Sequence, residues 1–297
     1  MNAIAVMLFM AVYVDSSPEH LQESVKLLNA ELDKAELTRP AELRFANVEM
    51  DDRTIRAGSS FELKCEVYAL PPPVFTWTLN GKRIVGTEDA NLFEKLTNIG
   101  KPTLQNGVVT SRIRIPCAEK KHRGKYRCIA TNGHHTVEAS AKISVVGGGL
   151  CDAVELDPPQ IIQFTDSRFE IQDNAVQLMC RVAQPNTAIA WYFMKDDEVR
   201  VPLIDNSDFE VLPNGDLIVK RCDFETRVGT YLCVASNDAG EDRAEAWLYC
   251  NSRETSNSVR FGILLFVDEA TKHSSVCFFR ALRKANVEQP TSRPSAT

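Results

Sequence analysis

Between residues 61 and 67 the chain alternates without a break. Phe61, Leu63, Cys65 and Val67 fall on one side, and Glu62, Lys64 and Glu66 on the other. A period of two places successive side chains on opposite faces of an extended backbone, which predicts a half-buried strand. Residues 74–79, 108–115, 125–130 and 138–145 continue this pattern, and Asn80-Gly81 and Asn132-Gly133 supply turns that tolerate positive φ. Gly147-Gly148-Gly149 and Asp157-Pro158-Pro159 then punctuate the chain. Strand patterns return at residues 176–183, 189–194, 216–220, 230–236 and 243–249. Residues 20–37 differ: Leu21, Val25, Leu28 and Leu32 recur at helical spacing, which predicts one amphipathic helix ending before Pro40.

The two strand-rich stretches repeat one motif. Cys65 is followed by Trp77 and then by Gly124-x-Tyr126-x-Cys128, and Cys180 by Trp191 and then by Gly229-x-Tyr231-x-Cys233. Each stretch has an Asn-Gly before its late strand, at Asn106-Gly107 and Asn214-Gly215, and each ends in Cys-x-Ala-x-Asn. The chain is therefore an internal duplication.

The repeated Cys, Trp, Tyr and Cys resemble the signature of the immunoglobulin sandwich. There a disulfide clamps two facing sheets, a Trp packs on it, and a Tyr two residues before the second Cys makes a corner hydrogen bond. The resemblance implies an all-β chain of two tandem I-set, Greek-key sandwiches with inter-sheet disulfides Cys65–Cys128 and Cys180–Cys233. Trp77, Tyr126, Trp191 and Tyr231 are then core residues. The layout is similar to that of the secreted two-immunoglobulin-domain (zwei-Ig) proteins of nematodes, over about residues 21–250. That resemblance implies a non-enzymatic extracellular protein, made by neurons or muscle, that keeps axons and cell bodies in place. The competing expectation is a structural immunoglobulin scaffold, intracellular or matrix-associated.

The expected organisation is a signal peptide over 1–17, a helical pre-domain segment over 18–40, a first domain over 41–147, a linker over 148–154, a second domain over 155–250 and an irregular tail over 251–297. The leader rests on the apolar run at residues 3–14, which lacks a basic flank and a clean cleavage site; a buried N-terminal element is its alternative. Residues 261–267 are too short to span a bilayer, so no membrane span is expected.

Nine cysteines suit an oxidising compartment. Cys117 and Cys222 each lie eleven residues before the second cysteine of their motif, in the turn before the sixth strand of the sandwich. That turn shares an end with the exit of the last strand, where Cys151 and Cys250 lie. Pairs Cys117–Cys151 and Cys222–Cys250 are expected; free buried thiols at Cys117 and Cys222 are the alternative. Cys277 is left over, and the tail is assigned no function.

The formal charge of -6 gives no reason to expect a nucleic-acid partner, but it hides an asymmetry. Residues 41–147 carry 16 Lys+Arg against 11 Asp+Glu, net +5, and residues 155–250 carry 8 against 18, net -10. Such a difference can orient the domains on each other or steer a partner. The densest basic run, Lys120, Lys121, Arg123, Lys125 and Arg127, is a candidate grip for sulfated glycans; a solvated strand face is the plainer explanation. His134-His135 points to opposite faces if extended and has no further ligands nearby, so no metal site is expected. No Gly-x-Ser-x-Gly, His-Glu-x-x-His or phosphate loop occurs, and no cofactor or catalytic residue is expected. Expected partners are extracellular or cell-surface proteins. A two-domain rod would meet them through sheet faces or end loops, among them the hairpin tips at 132–136 and 237–241 and the Pro71-Pro72-Pro73 loop, although shaping the turn is the plainer role for the Pro run.

Overall fold

In a computed structural model the described residues are 37–86, 91–151, 157–195, 199–204 and 206–251. The expected leader, the helix and the tail beyond Asn251 lie outside them. The first sandwich contains β1 (Glu42–Glu49), β2 (Arg53–Arg56), β3 (Phe61–Leu70), β4 (Val74–Leu79), β5 (Lys82–Gly86), the short helix α1 (Leu92–Thr97), β6 (Asn106–Ile115), β7 (Gly124–Thr131) and β8 (Thr136–Val146). The second contains β9 (Ile161–Ile171), β10 (Val176–Leu178), β11 (Cys180–Val182), β12 (Ala188–Met194), β13 (Arg200–Pro202), β14 (Phe209–Val211), β15 (Leu217–Val219), β16 (Gly229–Asn237) and β17 (Gly240–Asn251).

Alternation explains the cores. Leu63, Cys65 and Val67 of β3 face Trp77 and Phe75 of β4 and Tyr126 and Cys128 of β7 in one apolar cluster; Leu178, Trp191, Leu217, Tyr231, Cys233 and Leu248 build the other. Met179 of the second half of the chain joins the first cluster, so the two cores are not separate.

The sandwiches do not stand end to end as a rod. A five-stranded sheet, β2-β8-β7-β4-β5, covers the first core, and a three-stranded sheet, β10-β15-β14, covers the second. Facing both is one nine-stranded sheet in the order β1-β3-β6-β9-β17-β16-β12-β13, with β11 also on β9. Residues 91–105 form α1 and a loop rather than a strand against β6, which leaves that edge of β6 for another partner. Strand β9 fills it: residues 106–111 pair antiparallel with 163–169. Gly107 makes this approach possible, because a Cβ there would lie 2.0 Å from the Ser167 carbonyl oxygen. The Asn106-Gly107 dipeptide, which resembles a turn in sequence, is thus the start of β6.

A bulge between Val108 and Val109 leaves Asp166 unopposed, and its carboxylate accepts the Thr110 hydroxyl. Beyond the bulge the buried side of β9 is polar. Arg168 is 1% exposed, and Glu94 of α1 and Glu170 are fully buried beside it. Arg168 bonds both carboxylates. Glu94 also accepts the Gln177 N–H at 2.8 Å, and Glu170 accepts the N–H groups of Leu104 and Gln105 at 2.9 and 3.0 Å. The Asn98 side chain exchanges two hydrogen bonds with the Ala175 backbone, both 2.8 Å. A second lock lies at the far end of the junction, where Arg112 of β6 meets Asp242 of β17 at 2.7 Å and donates to the Ile161 carbonyl at 2.8 Å.

Two carboxylates share the Arg168 guanidinium. Burial, opposed by Arg168 and reinforced by Glu170, pushes the Glu94 carboxyl up to about 7. Burial also pushes Asp166 up to about 7. Replacing Arg168 with Ala strands both carboxylates in the interior and should destabilise the fold by about 3–5 kcal/mol in chemical denaturation.

The pH dependence has a definite sign. From their ordinary values of 4.5 and 3.8 up to about 7, Glu94 and Asp166 keep protons in the folded state that the unfolded chain has released. Their contribution to stability therefore falls as pH rises through that window. The melting temperature of Glu94→Gln should decline less between pH 5.5 and 7.5 than that of the native chain; equal slopes would contradict this assignment.

Candidate functional site

Strand register sets the motif residues opposite one another. Trp77 lies across from Cys128, and Trp191 across from Cys233. The structure joins Cys65 to Cys128 and Cys180 to Cys233, with Cα–Cα separations of 6.8 and 6.5 Å. It also joins Cys117 to Cys151 and Cys222 to Cys250, at 5.9 and 5.4 Å. The Trp77 ring N–H donates to Ser111 Oγ and that of Trp191 to the Gly215 carbonyl, both at 2.9 Å. Tyr126 and Tyr231 donate to the carbonyls of His122 and Arg227, each four residues upstream and 2.9 Å away. Burial raises both phenols above their ordinary range. All four rings are buried, so their satisfied polar ends stabilise the sandwiches and present nothing to a ligand.

The basic run divides into two kinds of cation. Lys120, Lys121 and His122 form a single 3-10 turn, in which Lys121 pairs with Glu119. Burial and the neighbouring Lys121 lower the His122 imidazole below its ordinary value. Arg127 pairs with Glu138 on β8. Lys125, by contrast, lies directly across from Lys142 of β8. Arg123, Lys125 and Lys142 are exposed and line a shallow depression of about 510 Å³, together with Asn80, Gly124, Ile143 and Ser144. Sequence spacing could not reveal Lys142, since only the β7–β8 register brings it to Lys125.

The outer face of the nine-stranded sheet carries a second feature, absent from the linear pattern. Phe169, Trp247 and Tyr249 are half-buried there. Trp247 stacks on Tyr249 at 5.6 Å between ring centres, and Phe169 lies 6.1 and 6.0 Å from the two. Phe224 meets Tyr249 edge-on at 5.9 Å. Aromatic rings with half-open faces are favoured at interfaces. Elsewhere on this face charges are matched, as in Arg114 with Glu62 at 3.0 Å.

Other candidate contact points are used internally. Pro71, Pro72 and Pro73 are buried, which removes that loop as a contact surface. Asn132 is also buried: its side-chain NH2 donates to the carbonyls of Glu42 and Leu70, both at 3.0 Å. His134 and His135 are exposed at the hairpin tip. Among the described residues no group of three or more His, Cys, Asp or Glu is placed to hold a metal ion, and no helix is long and apolar enough to cross a membrane.

Residues 46–132 match the immunoglobulin domain family. The chain is 38% identical over 247 residues to the Zwei Ig domain protein zig-3 of Caenorhabditis elegans, an alignment covering 83% of this chain and 95% of that protein. It is 34% identical over 261 residues to Zwei Ig domain protein zig-4 of the same organism, covering 86% and 100%. Among solved structures, that of neural ectodermal development factor IMP-L2 superposes with a TM-score of 0.55 at 22% identity, covering 72% of this chain and 98% of that one.

Of the three tryptophans, two are buried and Trp247 is half-open. Acrylamide should therefore quench one accessible component of the fluorescence. Trp247→Phe should abolish that component while leaving the melting temperature within a few degrees. Complete protection of all three rings would mean that the aromatic face is covered.

Proposed function

The chain belongs to the zwei Ig domain family, and on that footing we propose that it is a secreted, non-enzymatic adhesion protein of the nervous system that maintains the position of axons or cell bodies. Its partners in this reading are extracellular or cell-surface proteins. Four disulfides carry the reading, because such bonds persist in an oxidising compartment and are rare in reducing ones. The full-length relationship to proteins with two immunoglobulin domains supports the same assignment. So does the apolar run at residues 3–14, as an export signal.

Binding would involve no chemical step. Affinity would come from burying the half-open aromatic cluster around Trp247, with the matched charges beside it fixing register. One sheet spanning both sandwiches offers a partner a broad surface with little freedom to lose on association.

Expression of the full chain in secretory cells tests the compartment. Protein in the medium, with Cys117 linked to Cys151 and Cys222 to Cys250 in non-reducing peptide maps, is the expected result. Retention in the cell with reduced thiols would overturn it. For the neural role, loss of the protein should leave initial axon paths intact and let them drift later; defects in first outgrowth alone would contradict a maintenance function.

A further inference from the structure

We propose that the depression bordered by Arg123, Lys125 and Lys142 binds sulfate groups of an extracellular sulfated glycan chain. This rests on the extracellular reading, since such chains are extracellular ligands.

The internal duplication provides a control for the fold's own requirements. Taking the shared Gly-x-Tyr-x-Cys motif as the frame, Arg123 and Lys125 correspond to Val228 and Thr230. Lys125 opposes Lys142 just as Thr230 opposes Trp247. The second sandwich therefore builds the same strands with no cation at any of the three places. The three charges are additions to the first sandwich and not a demand of its architecture.

Their arrangement also carries a cost that an anion removes. Like charges directly across a strand pair repel. The neighbouring cations Lys121 and Arg127 are neutralised by Glu119 and Glu138. Among the described residues no carboxylate is in ion-pair contact with Arg123, Lys125 or Lys142; Asp52 accepts only the backbone N–H of Lys142, at 2.7 Å. Three donors of one sign thus converge on a single concavity.

The floor of the concavity depends on Gly124. A Cβ there would come within 2.4 Å of the Asn80 side chain, whose oxygen accepts the Lys125 N–H at 2.9 Å. Asn80 and Ser144 add neutral hydrogen-bonding groups to the lining. Charge-assisted hydrogen bonds from Arg and Lys suit tetrahedral oxyanions. The net charge of -10 over residues 155–250 repels an anionic polymer, which confines it to the first sandwich.

The test is retention of the purified full chain on immobilised heparin, with affinity also measured at physiological salt. Lys125→Gln with Lys142→Gln should weaken affinity at least roughly tenfold, the factor that one lost charge-assisted hydrogen bond carries. The pair should keep its melting temperature, because opposed like charges are removed. A charge-matched control, Lys220→Gln with Arg221→Gln, should bind as the native chain does, and chemically desulfated heparin should not retain the protein.

Unchanged affinity in the first variant, or an equal loss in the control, would overturn the proposal. So would binding to phosphatidylserine vesicles, but not heparin, that depends on Lys125 and Lys142. None of these results bears on export or disulfide pairing, so failure here is distinguishable from failure of the extracellular reading.

Discussion

An open strand edge exposes unpaired backbone donors and acceptors, and a folded chain must cover, shorten or pair it. In this protein the edge at β6 is paired by β9, and the arrangement of the molecule follows from that choice. Residues 91–105 form α1 and a loop, which leaves the edge to β9 and delivers Glu94 to the junction. Gly107 removes the side chain that would hold β9 away. Arg168, projecting inward from β9, then meets Glu94 and Glu170 in the interior. Buried ionic groups are costly unless bonded, so the bonds from Arg168 to Glu94 and Glu170, which exist only when β9 lies against β6 and α1, favour this docking.

Edge-to-edge pairing changes what the surface can do. Two sandwiches joined by a linker would present separate small faces at a variable angle. One sheet running from β1 to β13 presents a continuous face, with aromatic rings gathered around β17 and matched charges on β3 and β6. Arg123, Lys125 and Lys142 sit on the outer side of the opposite sheet, around β7 and β8. The two outer faces therefore differ in chemistry, aromatic on one side and cationic on the other.

Much of the fold was legible because its strands alternate. Residues 74–79 were read to the residue, and the motif around Cys65, Trp77, Tyr126 and Cys128, repeated in the second half, identified the sandwich class. Strand β9 has no such alternation, for a physical reason. Between its end residues Ile161 and Ile171, its buried positions Gln163, Thr165, Arg168 and Glu170 are polar, because a strand packed between two sandwiches is held there by hydrogen bonds, so no apolar alternation marks its buried face. The same cause hid the side-by-side docking and favoured the picture of a rod. Short pieces such as β13 and β14, three residues each, are below the length at which a period of two can be recognised. At the candidate site, sequence proximity grouped Lys121 and Arg127 with Lys125. The structure separates them: Lys121 pairs with Glu119 at the 3-10 turn, Arg127 with Glu138 on the neighbouring strand, and the β7–β8 register brings in Lys142. The aromatic cluster joins β9 to β17 and the segment before β16, a contact no linear pattern encodes.

The two sandwiches share one sheet, and on this physical picture they open together. Residue-resolved amide hydrogen exchange tests it most directly. If β6 and β9 are interior strands of that sheet, the hydrogen-bonded amides at their junction should exchange as slowly as those of β16, through global unfolding alone. Rapid exchange along the β6–β9 junction, with β16 still protected, would mean that the domains separate freely and would contradict the account.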